Sequence, residues 1–183
     1  LKKFGIGYAD EKWDSLYQYL KSQGVDAKIM VELGLVSESK GKYYDKFRNR
    51  VMFPIINTSG KVIGFGGRAI NPDDNPKYLN SPESKIFQKK NNLYGLNISR
   101  QSVGKDGYII LVEGYMDTIA LYQAGVTNVA ASLGTALTEN QARLIKRYTK
   151  NVVLSYDADS AGRAAALRGL DILKAEECKV RVL

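Results

Sequence analysis

The chain has 183 residues, 44% hydrophobic and 25% charged, the balance of a globular protein that buries a core; at roughly 150 residues per domain it holds one sizeable domain or two small ones. It has no His and a single Cys. A zinc finger, a catalytic Cys/His pair and a Ser/His/Asp triad are therefore excluded, and any acid, base or metal chemistry rests on carboxylates, Lys, Arg or Tyr. The net charge of +8 is uneven: residues 1–100 carry 17 basic and 10 acidic side chains, residues 101–183 carry 10 and 9. A polyanion partner, nucleic acid or nucleotide phosphate, is expected on the first half, although a merely soluble basic domain has the same count. Cys178 reads as buried packing. No stretch approaches the ~18 apolar residues of a membrane span, so no membrane partner is expected and the chain reads as soluble and cytoplasmic. It opens at Leu1 without Met and stops at Leu183 within an apolar run, the look of a core excised from something longer.

The first half reads as mixed α+β. Asp10 is placed to cap a helix whose Trp13, Leu16, Tyr17 and Leu20 fall on one face, ended by Gly24. A shorter helix fits residues 26–33, with Gly34 just past it. The period then changes: residues 51–56 and 61–65 are β-prone and joined by Asn57-Thr58-Ser59-Gly60, a hairpin. Residues 71–85, with Pro72, Pro76 and Pro82, read as a long loop without regular structure.

The grammar changes again at Gly104-Lys105-Asp106-Gly107, which sets an expected boundary between residues 1–104 and 105–183. Residues 108–112 form a continuous apolar run, as in a strand buried on both faces of a parallel sheet. There follow a helix over 115–124 stopped by Gly125, a strand over 129–131 and a helix opened by a Thr138/Gln141 capping box, with Leu144, Ile145 and Tyr148 on its apolar face. A strand over 152–156, a helix over 160–174 and a strand over 180–183 complete a βαβαβαβ pattern. The fold class is α/β: a basic α+β subdomain, then a parallel sheet with helices on both faces.

In open α/β sheets ligands sit beyond the carboxyl ends of the strands. Glu113-Gly114 follows the first of these strands and Asp157-Ala158-Asp159 the third. If the strand tip stays extended, Asp157 and Asp159 point the same way. Carboxylates without His or Cys select Mg²⁺ or Mn²⁺ over zinc. Glu113 alone also reads as an acid at a helix N-terminus, and Asp157 alone as a helix cap; together with the DxD pattern they favour a metal site. Asp117, one turn after Glu113, is either a supporting carboxylate or a solvated one. Gly134 allows a phosphate-approaching turn or a plain strand-to-helix turn. No Walker loop occurs, and Gly64-Phe65-Gly66-Gly67 is not the dinucleotide fingerprint.

The basic half supplies the counterpart. Lys46, Arg48 and Arg50 alternate and, if extended, line one face. Arg68 ends the Gly-rich run and Lys77-Tyr78-Leu79-Asn80 lies in the Pro-rich loop. Each alone is ordinary surface; grouped beside carboxylates and metal they suit triphosphates. A cleft between the two halves is expected on this reading.

These residues resemble the RNA polymerase core of bacterial DnaG-type primases, whose second part is a Toprim domain. The strings that carry the resemblance are Tyr44-Asp45-Lys46-Phe47-Arg48-Asn49-Arg50-Val51-Met52-Phe53-Pro54-Ile55, Val62-Ile63-Gly64-Phe65-Gly66-Gly67-Arg68, Pro76-Lys77-Tyr78-Leu79-Asn80-Ser81-Pro82-Glu83, Leu93-Tyr94-Gly95-Leu96, Val112-Glu113-Gly114-Tyr115-Met116-Asp117, Ala131-Ser132-Leu133-Gly134-Thr135 and Tyr156-Asp157-Ala158-Asp159-Ser160-Ala161-Gly162. The resemblance implies a nucleotidyltransferase that makes short RNA primers on single-stranded DNA for replication, a part of the primosome. It implies that Glu113, Asp157 and Asp159 ligate Mg²⁺ or Mn²⁺ and act in catalysis, with Asp117 nearby. Arg68, Lys77, Tyr78 and Asn80, with Lys46, Arg48 and Arg50, would line the nucleotide and template groove. NTPs are the implied substrates, (p)ppGpp an implied inhibitor at the same site, and a replicative helicase an implied partner through a further domain. The family's zinc module and its further DPD-like acidic element are not among these residues. The competing readings are a Toprim nuclease and a DNA- or alarmone-binding module without turnover.

Overall fold

A computed structural model describes residues 2–134 and 136–183; Leu1 and Thr135, the last residue of one resemblance string, lie outside the described residues. The chain divides into two compact units, Leu1–Ile55 with Val62–Phe87 and Ile56–Lys61 with Gln88–Leu183.

The N-terminal unit contains β1 (Gly7–Ala9), α1 (Ser15–Ser22), α2 (Ala27–Glu32), β2 (Val36–Ser39), β3 (Lys42–Asp45), β4 (Arg50–Ile56), β5 (Val62–Ala69) and β6 (Tyr78–Asn80). Its main sheet has the order β1-β4-β5-β6, with β1 antiparallel to β4 and β6 antiparallel to β5. Phe53 and Ile55 of β4 are fully buried. Gly64 of β5 keeps Phe87 against the sheet, since a Cβ there would lie 3.1 Å from the Phe87 ring.

Two expectations change in this unit, and one element is new. The first helix starts at Ser15, not after Asp10; the Asp10 carboxylate instead accepts the Lys12 amide and the Ser15 hydroxyl, closing a turn before the helix. The free amides of Leu16 and Tyr17 are taken by the buried Asp45, at 2.7 and 2.8 Å. Asp45 thus caps α1 from 28 or 29 residues away, which no local pattern encodes. The 71–85 segment is not wholly irregular, because β6 lies in it and pairs with β5. An unforeseen antiparallel hairpin, β2–β3, turns on Lys40 and Gly41, both at positive φ.

The second unit contains α3 (Leu96–Asp106), β7 (Ile109–Val112), α4 (Tyr115–Gln123), β8 (Val129–Ala131), α5 (Glu139–Lys146), β9 (Asn151–Leu154), α6 (Ser160–Ala175) and β10 (Lys179–Val182). The four strands are parallel, in the order β10-β9-β7-β8, and the βαβαβαβ expectation holds. Its core gathers Leu96 and Val103 of α3, Ile109 and Leu111 of β7, Ile145 of α5 and Leu173 of α6, with Cys178 buried among them as expected. α3 runs through Gly104 and ends at Gly107 in the left-handed conformation. The Thr138/Gln141 capping box is formed. Gln141 is fully buried: its Oε1 accepts the Thr138 amide, and its Nε2 donates to the Lys89 and Asn92 carbonyls at 3.0 and 2.8 Å. No helix among the described residues is long and apolar enough to cross a membrane.

Candidate active site

β7 ends at Val112, and the next two residues, Glu113 and Gly114, carry the chain into α4. Glu113 is half-buried, and its Oε1 accepts the Asp157 amide at 2.9 Å. This bond ties the loop after β7 to the loop after β9, so the Glu113 carboxylate meets the backbone of Asp157 at the carboxyl edge of the sheet.

The extended tip carrying both Asp157 and Asp159 does not form. β9 stops at Leu154, and Asp159 is the N-cap of α6, its Oδ1 accepting the Gly162 amide at 2.7 Å. The cap considered for Asp157 therefore falls on Asp159, which directly precedes the first helical residue, Ser160, so that its side chain reaches the free Gly162 amide in the first turn. Asp117 is also engaged with the backbone, its Oδ2 accepting the Gly114 amide at 3.0 Å. Gly134 has φ +72, a turn that glycine adopts without strain.

Two residues at this edge escaped sequence reasoning. A Cβ on Gly162 would collide with the Asp157 carbonyl and lie 2.8 Å from Glu113 Oε1, so the absence of a side chain is what lets the three segments close up. An isolated Gly in the first turn of a helix was the available signal. Tyr156, just before Asp157, has a buried hydroxyl. Burial, then the negative charge of Glu113, push that hydroxyl up to about 12, against a lowering by Ser132. Ser132 lies beyond the end of β8, so all three loops contribute to one neighbourhood.

Among the described residues no group of three or more His, Cys, Asp or Glu side chains is gathered closely enough to hold a metal ion. The donor set still fits Mg²⁺ or Mn²⁺: it is all hard oxygen, and such ions are commonly held by one or two carboxylates plus substrate phosphates rather than by a protein cage. Glu113 Oε1, Asp159 Oδ1 and Asp117 Oδ2 each bond one backbone amide, and every carboxylate carries a second oxygen.

In the N-terminal unit the extended row of Lys46, Arg48 and Arg50 is not found. β3 ends at Asp45, β4 begins at Arg50, and Asn49 turns the chain at φ +49. Arg50 is buried and donates to the Pro76 carbonyl at 2.9 Å and the Gly67 carbonyl at 3.4 Å; burial lowers its guanidinium pKa. Arg48 donates to the Asp45 carbonyl and lies 4.3 Å over the Trp13 ring, which stacks on Tyr44 at 5.1 Å. Trp13 is 60% exposed, and an exposed ring beside a guanidinium suits base stacking. Lys46 is half-buried. Arg68, at the end of β5, places its guanidinium 5.8 Å over the Tyr78 ring of β6. Lys77 and Tyr78 are exposed and Asn80 half-buried.

The family described as "DNA primase catalytic core, N-terminal domain" matches residues 1–100, and a Toprim-like family matches residues 110–183. The DNA primase of Clostridium acetobutylicum is 52% identical over 184 aligned positions, which cover all of this chain and 30% of that protein. A DNA primase domain from Pseudomonas aeruginosa superposes with a TM-score of 0.90 at 44% identity, over 100% of this chain and 58% of that one. A DnaG primase catalytic domain bound to single-stranded DNA superposes at 0.89 and 40% identity, again over 100% and 58%. The chain thus spans about a third of the full-length relative. It belongs to the DNA primase catalytic core family.

Proposed function

We propose that this chain carries the nucleotidyl-transfer site of a primase, a DNA-directed RNA polymerase that joins NTPs into short RNA on a single-stranded DNA template. The observation that carries the reading is the Glu113–Asp157 junction, which brings acidic loops from adjacent parallel strands to the sheet edge where such folds bind ligands. Glu113, Asp157 and Asp159 would hold Mg²⁺ or Mn²⁺, with Asp117 supporting the Gly114 turn. The bound ion would lower the pKa of a primer 3′-hydroxyl and neutralise phosphate charge. Arg68 and Lys77 are the cations best able to meet NTP phosphates, Lys77 being exposed and Arg68 held over a ring. Tyr78, Asn80, Lys46 and the Trp13–Arg48 stack would contact template or nucleotide. Arg50 acts from within, bonding the Gly67 and Pro76 carbonyls that directly precede Arg68 and Lys77. The same cations would accept (p)ppGpp as an inhibitor. The relative bound to single-stranded DNA supports the template assignment.

The test is incubation of the chain and its Glu113→Gln variant with single-stranded DNA, labelled NTPs and Mn²⁺. Template-dependent short RNA, lost in the variant, is expected. Metal-dependent cutting of the DNA without NTPs would replace this reading with a Toprim nuclease.

A further inference from the structure

The segment before α3 is tied to the parallel sheet at its ligand edge. Tyr94 forms an antiparallel bridge with Ala131, its amide donating to the Ala131 carbonyl at 2.9 Å and its carbonyl accepting the Ala131 amide at 3.0 Å. Ala131 is the last residue of β8, the outer strand of the order β10-β9-β7-β8. Just before Tyr94 the chain makes a short 3₁₀ turn, Lys89–Asn91. The first turn of α5, which follows β8 and so also lies at the carboxyl edge, holds it. Gln141 Nε2 donates to the Lys89 and Asn92 carbonyls, Thr138 Oγ1 to the Lys90 carbonyl at 2.7 Å, and Asn140 Nδ2 to Asn91 Oδ1 at 2.7 Å. Three carbonyls of the turn are thereby directed at α5, so the negative ends of these peptides face the protein. Lys90 itself is exposed. Gln141 is fully buried and spends both of its N–H groups on this one turn.

We propose that Gln141 is a positioning residue: by clamping the turn it holds the Lys90 ammonium at the carboxyl edge, against the phosphodiester backbone of a single-stranded nucleic acid that passes the Glu113–Asp157 junction. The inference deepens the nucleotidyl-transfer reading given above and rests on it. The occupant follows from the spacing. The bridge at Tyr94 lies one strand outside β8, and β8 one strand outside β7, which leads into Glu113; two strand spacings make ~10 Å. A strand carries phosphates on either side of the reacting position and spans that gap. A turn fixed from beneath offers its cation without first ordering the backbone that bears it.

The experiment takes the parent chain, Lys90→Ala, Gln141→Met and the double variant. It measures the urea midpoint, the affinity for a single-stranded DNA oligonucleotide over a series of salt concentrations, and the NTP concentration for half-maximal RNA synthesis. Lys90→Ala should unfold like the parent and bind the oligonucleotide about three-fold more weakly at low salt, with a salt slope shallower by about 0.7, the share of one phosphate contact on a single strand. Gln141→Met removes the donors while nearly keeping the side-chain shape. It should lower the urea midpoint and lose the same DNA affinity and the same part of the slope, and adding Lys90→Ala to it should change binding no further. A merely structural Gln141 predicts a lowered midpoint with parent-like DNA binding and salt slope, which overturns the proposal, as does parent-like DNA binding by Lys90→Ala. A loss confined to the NTP titration overturns the assignment to a strand. Should Gln141→Met not fold, Asn140→Ala removes an exposed strut of the same turn: weaker DNA binding at an unchanged midpoint supports the proposal, and parent-like binding overturns it. A parent chain that binds no oligonucleotide overturns this inference together with the nucleotidyl-transfer reading. RNA synthesis that depends on Glu113 while Lys90→Ala binds DNA like the parent overturns this inference alone.

Discussion

The charged residues offered as site candidates are held differently in the two units. In the antiparallel unit two of the arginines offered as ligand-binding residues bond the backbone instead: Arg50 bonds the Pro76 and Gly67 carbonyls, and Arg48 the Asp45 carbonyl. In the parallel unit the acids at the sheet edge bond backbone too, with Glu113 on the Asp157 amide, Asp117 on the Gly114 amide and Asp159 on the Gly162 amide. The consequences differ. A guanidinium buried over two carbonyls has been withdrawn from solvent and from ligands. A carboxylate holding one amide has been oriented and keeps an oxygen for a cation. Net charge therefore overstates the basic surface of the first unit, while amide bonds at the sheet edge orient the acids of the second.

Removing a structural cation should give the largest effect on folding. Arg50→Ala removes the donor to the Gly67 and Pro76 carbonyls, the first of these bonds buried, and opens space beside Gly67, where the Arg50 side chain packs. A loss of about 3 kcal/mol is expected, read as a shifted urea midpoint. If Arg50→Ala instead unfolds like the parent and loses only DNA affinity, the contrast between the units fails at its strongest point.

Gly162→Ala attacks the other side. The added methyl meets the Asp157 carbonyl and the Glu113 carboxylate together. About 2 kcal/mol of stability should be lost through overpacking, along with Mn²⁺ binding, measured on the same sample. Intact Mn²⁺ binding would mean that the closeness of these three segments has no part in the site.

How far a sequence exposes such features depends on the range of the interaction. β7 to β10 and α4 to α6 follow from apolar runs and punctuation, since a strand buried on both faces writes itself as consecutive apolar residues, and the Thr138/Gln141 box is local by nature. Glu113 and Asp157 could be placed for the same reason, being the first acids after such runs. α3 hid behind Asn97, Ser99, Ser102 and Gly104, poor helix formers that read as a boundary. The β2–β3 hairpin hid behind Ser37, Glu38 and Ser39, which show no alternation. Lys46, Arg48 and Arg50 looked like an exposed row because period two was assumed to persist, and Asn49 breaks it. Gly162 against Glu113 and Asp45 over α1 are contacts across 28 or more positions, set by topology rather than pattern.

Asp45 sharpens the comparison, being an acid that works structurally in the basic unit. Burial raises its carboxyl above the ordinary 3.8, against the lowering by its two amide bonds. The folded value exceeding the unfolded one, the folded chain binds more protons in the interval between them. Its contribution to stability is accordingly greatest below that interval and declines as pH rises through the folded value. Asp45→Asn keeps one acceptor for two amides and should lose about 1 kcal/mol. The gap to the parent should be wider at pH 4 than at pH 7 in urea titrations. A gap that grows with pH would reverse the assignment.

The smallest effect on folding is expected at Lys77, where the contrast between structural and available cations is cleanest. Lys77 uses its carbonyl to accept the Ala69 amide, a bond that any side chain preserves, while its ammonium is exposed. Lys77→Ala should leave the urea midpoint within about 0.5 kcal/mol of the parent. The NTP concentration needed for half-maximal RNA synthesis should nevertheless rise several-fold, and more at low salt than at high, since an exposed ammonium acts on phosphate through a screened field. Arg50→Ala gives the reverse ratio of the two readouts. If Lys77→Ala titrates NTP like the parent, an exposed cation on the Pro-rich loop is no nearer the substrate than one buried over carbonyls, and the site must draw its positive charge from Arg68 and the Trp13–Arg48 stack alone.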